Sequence, residues 1–236
     1  MPLKFLDTVA KWTHYRALNS PGILASQLGK EIGRLNMRAV RKLEGEDTHK
    51  LIVEVAESLF RQIGFQKTTV ADIAQELHMS PANVYRFFAA KSEINEAVCM
   101  DLLGKIEAEA EKIAASPGTA TQKIRNLIRS VERTLHKQYR SDRKLHDLIE
   151  AAITDDWAIM RQHNERMTAI LKKIIAEGMA SHEFTPGDAE LAARFVNTAC
   201  IRFWHPRLIV ENERDPEPTL NQMLSFCLAA LTEPPA

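Results

Sequence analysis

The sequence predicts an all-α protein in which a small N-terminal three-helix module precedes a larger helical body. Three observations predict it. Apolar residues recur at three- and four-residue spacing from Leu51 to Leu231, and no run alternates as a half-buried strand would. Proline- and glycine-bearing breaks, Ser116-Pro117-Gly118, Pro186-Gly187-Asp188 and His205-Pro206, separate the periodic stretches. Two helix-start signals, Thr69-x-x-Asp72 and Ser80-Pro81, stand close together with only Leu77-His78-Met79 to turn between them.

The first stretches, Pro2 to Tyr15 and Ile23 to Val40, have loosely helical spacing about a break at Ser20-Pro21-Gly22, and the segment ends in basic residues Arg34, Arg38, Arg41, Lys42 and Lys50. A helix from Asp47 or Thr48 to Ile63 carries Leu51, Ile52, Val55, Ala56, Leu59, Phe60 and Ile63 on one stripe, and Gly64 ends it. The next helix starts at Thr69, whose hydroxyl can accept a first-turn amide, and sets Ile73, Ala74 and Leu77 on one face. A further helix starts at Ser80 or Pro81, and the small Ala74 leaves room for its Val84. Such a pair is a helix-turn-helix, whose second helix can lie in a DNA major groove.

A longer helix then runs from Lys91 or Ser92 to about Ala115. Ile94, Val98, Leu102 and Ile106 make its early half amphipathic, and the charged stretch from Glu107 to Lys112 reads as solvated. Helices follow from about Thr119 to Tyr139, with Ile124, Leu127, Ile128, Val131 and Leu135 inward, from Arg143 to Ile153, and from Asp155 or Asp156 to Ala180, closed near Gly178. The Pro186-Gly187-Asp188 turn introduces a helix to about Trp204. A polar, proline-bearing segment from Glu211 to Pro218 leads to a last apolar helix, Leu220 to Leu231.

The stretch from about Thr48 to Ile94 resembles the TetR family of transcriptional regulators. The resemblance rests on Gly64-Phe65, Thr68-Thr69, Ile73-Ala74, Met79-Ser80-Pro81, Val84-Tyr85, Phe88, Lys91 and Ile94. One departure is His78, at a turn position where helix-turn-helix motifs commonly carry glycine; histidine tolerates a positive φ better than a β-branched residue does. The resemblance implies an N-terminal extension over 1–46, a helix-turn-helix DNA-binding domain over 47–92, and a helical effector-binding and dimerisation domain over 93–236. It also places the arginines of the extension where family members reach DNA. Whether they do so, or form a flexible extension, or precede a true start at Met37, the sequence leaves open.

On the second helix of the motif, Ser80, Pro81, Ala82, Asn83, Tyr85 and Arg86 are the candidates for touching double-stranded DNA. Asparagine can pair bidentately with adenine and arginine with guanine, and an alanine methyl can pack on thymine, so Ala82, Asn83 and Arg86 are the base readers. Tyr85, Thr69 and Lys91 are phosphate contacts, by the resemblance and because a hydroxyl or ammonium at a helix end suits an anion. Family members dimerise through their last two body helices. Here those helices carry Leu191, Phe195, Ala199, Phe203, Leu224 and Leu228, apolar around more than one stripe, as expected when one face meets the body and another a second copy. The resemblance also implies that the helices between Lys91 and Ala180 enclose a hydrophobic small-molecule effector, with Cys99, Leu103, Leu127, Val131, Leu148, Trp157, Met160, His163, Asn164 and Met167 as candidate linings.

Composition narrows the alternatives. With 31 basic and 31 acidic residues the formal net charge is zero, so any basic footprint for nucleic acid must be local. Cys99, Cys200 and Cys227 lack C-x-x-C spacing and read as reduced core residues of a cytoplasmic protein. No stretch of 18 apolar residues suggests a membrane span. A metal site built from His146, Glu150 and His163 can be drawn, but no H-E-x-x-H or paired Glu-x-x-His pattern supports it, and neither a cofactor nor a catalytic residue is expected. Two function classes remain: a homodimeric regulator, most simply a repressor on a near-palindromic operator, and a helical small-molecule binding protein or enzyme whose helix-turn-helix is incidental. Salt-dependent binding to duplex DNA separates them.

Overall fold

Helices make up all the regular structure among the described residues, which in this computed structural model are 46–215 and 217–232. The chain divides into two units, 1–50 and 51–236. Of the first, residues 46–50 are described and are helical; the readings made for the extension up to Lys42 lie outside the described residues. The second holds α1 (51–63), α2 (Val70–Glu76), α3 (Pro81–Val84), α4 (Lys91–Ala114) and α5 (Ala120–Ser141). It continues with α6 (Arg143–Thr154), α7 (Ala158–Ala180), α8 (Ala189–Cys200), a 3-10 turn (Ile201–Phe203), α9 (Pro206–Arg214) and α10 (Leu220–Thr232).

Two apolar clusters hold this unit together, and α4 belongs to both. In the first cluster Ile94, Val98 and Leu102 of α4 are buried with Ile52, Ala56 and Phe60 of α1, Ile73 and Ala74 of α2, Val84 of α3, and Leu145 and Leu148 of α6. In the second, Ile106, Ala110 and Ala114 of α4 join Ile124, Leu127 and Ile128 of α5, Ile170, Leu171 and Ile174 of α7, Val196 of α8 and Leu224 of α10. The expected stripe on α1 is narrower than its spacing suggested. Leu51 and Ile63 are 47% and 42% exposed, and Val53 is buried instead.

The α2–α3 pair is defined by its caps. Thr69 Oγ1 accepts the Asp72 amide at 3.1 Å, while Asp72 Oδ2 accepts both the Thr69 amide and its hydroxyl at 2.8 Å, a reciprocal box at the start of α2. Those bonds, the backbone one first, hold the Asp72 carboxyl below its ordinary pKa of 3.8. His78 turns the chain at φ +53°, so the left-handed conformation asked of the usual glycine is adopted here by histidine. The Met79 amide then reaches back to the Ala74 carbonyl at 2.9 Å. Ser80 Oγ caps α3 by accepting the Asn83 amide at 3.3 Å, with Pro81 in the first turn. Ahead of the pair, Gly64 ends α1 at φ +91°, and its carbonyl accepts both the amide and the hydroxyl of buried Thr68.

Three expectations change in the body. Gly178 does not close its helix: it lies within α7, buried, where a Cβ would sit 2.3 Å from Phe184 Cδ2 and 2.8 Å from Ala120 Cβ. The turn after α7 is made by His182 at φ +60°. That helix begins at Ala158, later than Asp155 or Asp156, because Asp156 adopts φ +50°. A helix absent from the sequence reading, α9, occupies part of the segment read as polar and irregular, starting at Pro206 where a missing amide costs nothing. The start of α5 is capped twice: by a Thr119–Gln122 box, and by Glu183, whose carboxylate accepts the Ala120 and Thr121 amides at 2.7 and 2.9 Å.

Gly178→Ala should overpack the junction of α7 with Phe184 and destabilise the protein by about 1–3 kcal/mol, read as a lower urea midpoint with an unchanged slope. Thr69→Ala should cost about 1 kcal/mol through the lost α2 cap, and Thr69→Ser should restore most of it. Because the Asp72 pKa is lowered on folding, the carboxylate's half of the box contributes fully above pH 3.8 and is lost as pH falls through the folded-state value, whereas the Thr69 hydroxyl's bond to the Asp72 amide does not titrate. The Thr69→Ala deficit should therefore shrink only in part in acid melts, by the hydroxyl–carboxylate bond, because the backbone bond from position 69 survives the substitution.

Candidate nucleic-acid interface and adjoining cavity

The α2–α3 pair packs inward through Ile73, Ala74 and Val84. What remains outside is the set the sequence singled out. Thr69, Ser80, Pro81, Ala82, Tyr85 and Arg86 are exposed, Tyr85 at 50%, and Asn83 and Lys91 are half-buried. Phe88 is buried and Phe87 half-buried in the first cluster, as core aromatics. The side chains on this face are already oriented by one another. Asn83 Oδ1 accepts from Arg86 Nη1 at 3.3 Å, and Asn83 Nδ2 is 3.7 Å from Met79 Sδ. Lys91 Nζ donates to the Gln66 carbonyl at 3.1 Å, which leaves an ammonium with further donors. Burial lowers the Lys91 pKa, with the Asp72 charge opposing it. At the start of α4, Glu93 accepts the Ala89 amide at 2.7 Å, a bond at the junction between α3 and α4.

Behind this module a cavity of about 270 Å³ opens among α4, α5, α6, α7 and the 3-10 turn. Of the candidate linings, Leu103, Leu127, Val131, Met160, His163, Asn164 and Met167 line it. Cys99, Leu148 and Trp157 do not. Cys99 and Leu148 are sealed in the first cluster, where burial pushes the Cys99 thiol up to about 12, and Trp157 precedes α7 and packs on that same cluster. Sequence reasoning missed Asn197, Trp204 and His205, which reach the cavity from the end of α8 and beyond it. In the sequence Asn197 and Trp204 stand on a helix assigned to dimerisation, and His205 in the break after it.

The charged part of α4 differs from expectation at Glu107, which is largely shielded from solvent. Its Oε1 meets His163 Nδ1 at 2.7 Å and its Oε2 accepts Arg166 Nε at 2.7 Å, tying α4 to α7 beside the cavity. Burial lowers the His163 pKa, against the opposing pull of Glu107. His146 is buried edge-on against Tyr139, with ring centroids 5.0 Å apart. Among the described residues no three His, Cys, Asp or Glu side chains group as a metal site.

On α8, the 3-10 turn and α10 the candidate dimer residues separate into two sets. Leu191 and Phe195 are 46% and 64% exposed and Ala199 is half-buried, with Phe226 beside them 70% exposed. Phe203, Leu224 and Leu228 are buried in the second cluster, so they serve the core of their own chain rather than an outer face. The period of the apolar pattern could not assign those sides. No helix among the described residues is long and apolar enough to cross a membrane.

Known proteins share this arrangement. A sequence profile described as bacterial regulatory proteins, tetR family, matches residues 52–98, and one described as tetracyclin repressor-like, C-terminal domain, matches residues 120–221. Over 166 residues the chain is 24% identical to the HTH-type transcriptional repressor KstR2 of Mycolicibacterium smegmatis, spanning 66% of this chain and 78% of that one. A transcriptional regulator from Cytophaga hutchinsonii has the same fold at a TM-score of 0.62 and 19% identity, covering 78% of this chain and 98% of its own. FadR from Bacillus subtilis, solved in complex with stearoyl-CoA, does so at 0.54 and 17%, over 78% and 97%. The first profile falls on α1 to the start of α4 and the second on α5 to the start of α10. The chain therefore belongs to the TetR family of DNA-binding transcriptional regulators.

Proposed function

We propose that this protein is a repressor that binds a near-palindromic operator as a homodimer and is released when a hydrophobic small molecule fills the cavity. The observation that carries the proposal is the double membership of α4, which is core to the reading module through Ile94 and Val98 and wall to the cavity through Leu103 and Ile106. A ligand that binds better to one tilt of α4 than to another shifts the population of DNA-competent dimers by its differential affinity.

In this reading Ala82, Asn83 and Arg86 read bases, and Thr69, Tyr85 and Lys91 hold phosphates and set register. Asn83 exchanges its bonds to Arg86 and Met79 for a base edge. Ser80 and Pro81 bring the start of α3 close to the groove. One such helix discriminates over a few base pairs, too few for a genome, which is the reason for a second copy. The exposed apolar face of Leu191, Phe195 and Phe226 on α8 and α10 supports that copy, since a contiguous patch of this kind on a folded chain is costly to leave in water.

Selection of bound duplexes from a random pool should return a near-palindrome, with affinity falling steeply as salt rises. Asn83→Ala should relax preference at one base pair per half-site by about 1–3 kcal/mol, whereas Tyr85→Ala and Lys91→Ala should weaken all duplexes alike, in band-shift titrations. Indifference to duplex DNA at low salt would sink the proposal. Phe195→Glu should place a charge in the apolar contact and shift sedimentation from dimer to monomer, with loss of operator binding; a dimer that survives it forms elsewhere.

A further inference from the structure

The cavity wall is apolar except at a few points, and those points define what it accepts. Asp156 and Arg161 form an exposed ion pair at 2.7 Å, and Arg161 also donates to the Asp156 carbonyl at 3.0 Å. No unpaired cation faces the cavity among the described lining residues. The remaining groups include Asn164, Asn197, His205 and His163, of which His163 is buried and bonded to Glu107.

The His163 contacts decide its hydrogen-bonding sense. Glu107 Oε1 lies 2.7 Å from Nδ1, and a carboxylate that also accepts from Arg166 can only accept, so the ring proton sits on Nδ1. Nε2 is then a bare acceptor. It has no hydrogen-bond partner among the described residues, and His163 lines the cavity. Burial lowers the His163 pKa, which favours the neutral ring.

Resting on the cavity reading given above, we infer that the effector is an uncharged, mainly hydrocarbon alcohol or phenol whose hydroxyl donates to His163 Nε2. A carboxylate in the same place would face an acceptor with no counter-charge. An ether or ketone would leave Nε2 buried and unpaired. Glu107 is a positioning residue here: it sets the tautomer and carries the attachment from ring to α4.

Calorimetric titration of the full chain with 2-naphthol, 2-methoxynaphthalene and 2-naphthoate tests this, with decahydro-2-naphthol added to separate phenol from alcohol. Naphthol or its saturated analogue should bind roughly three- to tenfold more tightly than the ether, the worth of one neutral hydrogen bond. Naphthoate should be weaker than the ether by about tenfold or more. His163→Phe should keep hydrocarbon binding and lose the hydroxyl preference. In Glu107→Gln, Arg166 takes the amide oxygen and the amide nitrogen is left facing Nδ1, so the ring proton moves to Nε2. The preference for naphthol over the ether should then fall below about twofold, a change that mere loosening of α4 against α7 would not produce. Equal binding of naphthol and ether by the unaltered protein, or naphthoate ahead of both, would overturn this inference alone. Failure of every probe to bind would overturn the cavity reading along with it.

Discussion

The structure depends on a single continuous helix being apolar along two different stretches that face two different cores. From Ile94 to Leu103, α4 supplies the floor on which α1, α2 and α3 close; from Ile106 to Ala114 it supplies a wall for α5 and α7. A helix transmits displacement along its axis because each turn is hydrogen-bonded to the next. The reading module and the body are therefore not independent domains on a tether.

Polar contacts at the edges of these cores give the arrangement its specificity. The Thr69–Asp72 box and the Ser80 cap define where α2 and α3 begin, and the left-handed His78 defines the angle between them. On the other side, Glu107 joins His163 and Arg166 of α7 across the interface with α4. A buried carboxylate with two good donors is tolerated, whereas one left with neither carries a large desolvation cost. That asymmetry makes the Glu107 cluster a discrete attachment point rather than a sliding contact. It lies beside the cavity, where occupancy can bear on it.

The body reconciles two needs. Around Gly178 the packing is tight enough that a single methyl would collide with Phe184 and Ala120, and this fixes α7 against the start of α5. Around Met160, Met167 and Trp204 the packing is incomplete and about 270 Å³ stays open. Unbranched methionines and a broad indole suit a wall that must accept an occupant and otherwise relax. The rigid end and much of the open end belong to the same helix, α7.

Local chemistry was legible in the amino-acid order. The capped starts at Thr69 and Ser80 and the stop at Gly64 each follow from a few neighbouring side chains acting on their own backbone, and the helical period marked most of the helices, though not α9. What the tertiary structure decided is which side of an apolar helix meets what. Periodicity shows that Phe195 and Phe203 both lie on apolar stripes, but only packing leaves Phe195 in the open and seals Phe203 inside. It also hid Glu107 beneath His163, placed Gly178 against Phe184, and excluded Cys99 and Trp157 from the cavity while admitting Trp204. The physical reason is range: caps and turns arise between residues a few positions apart, whereas burial, cavities and ion pairs arise between helices that meet only after the chain has folded.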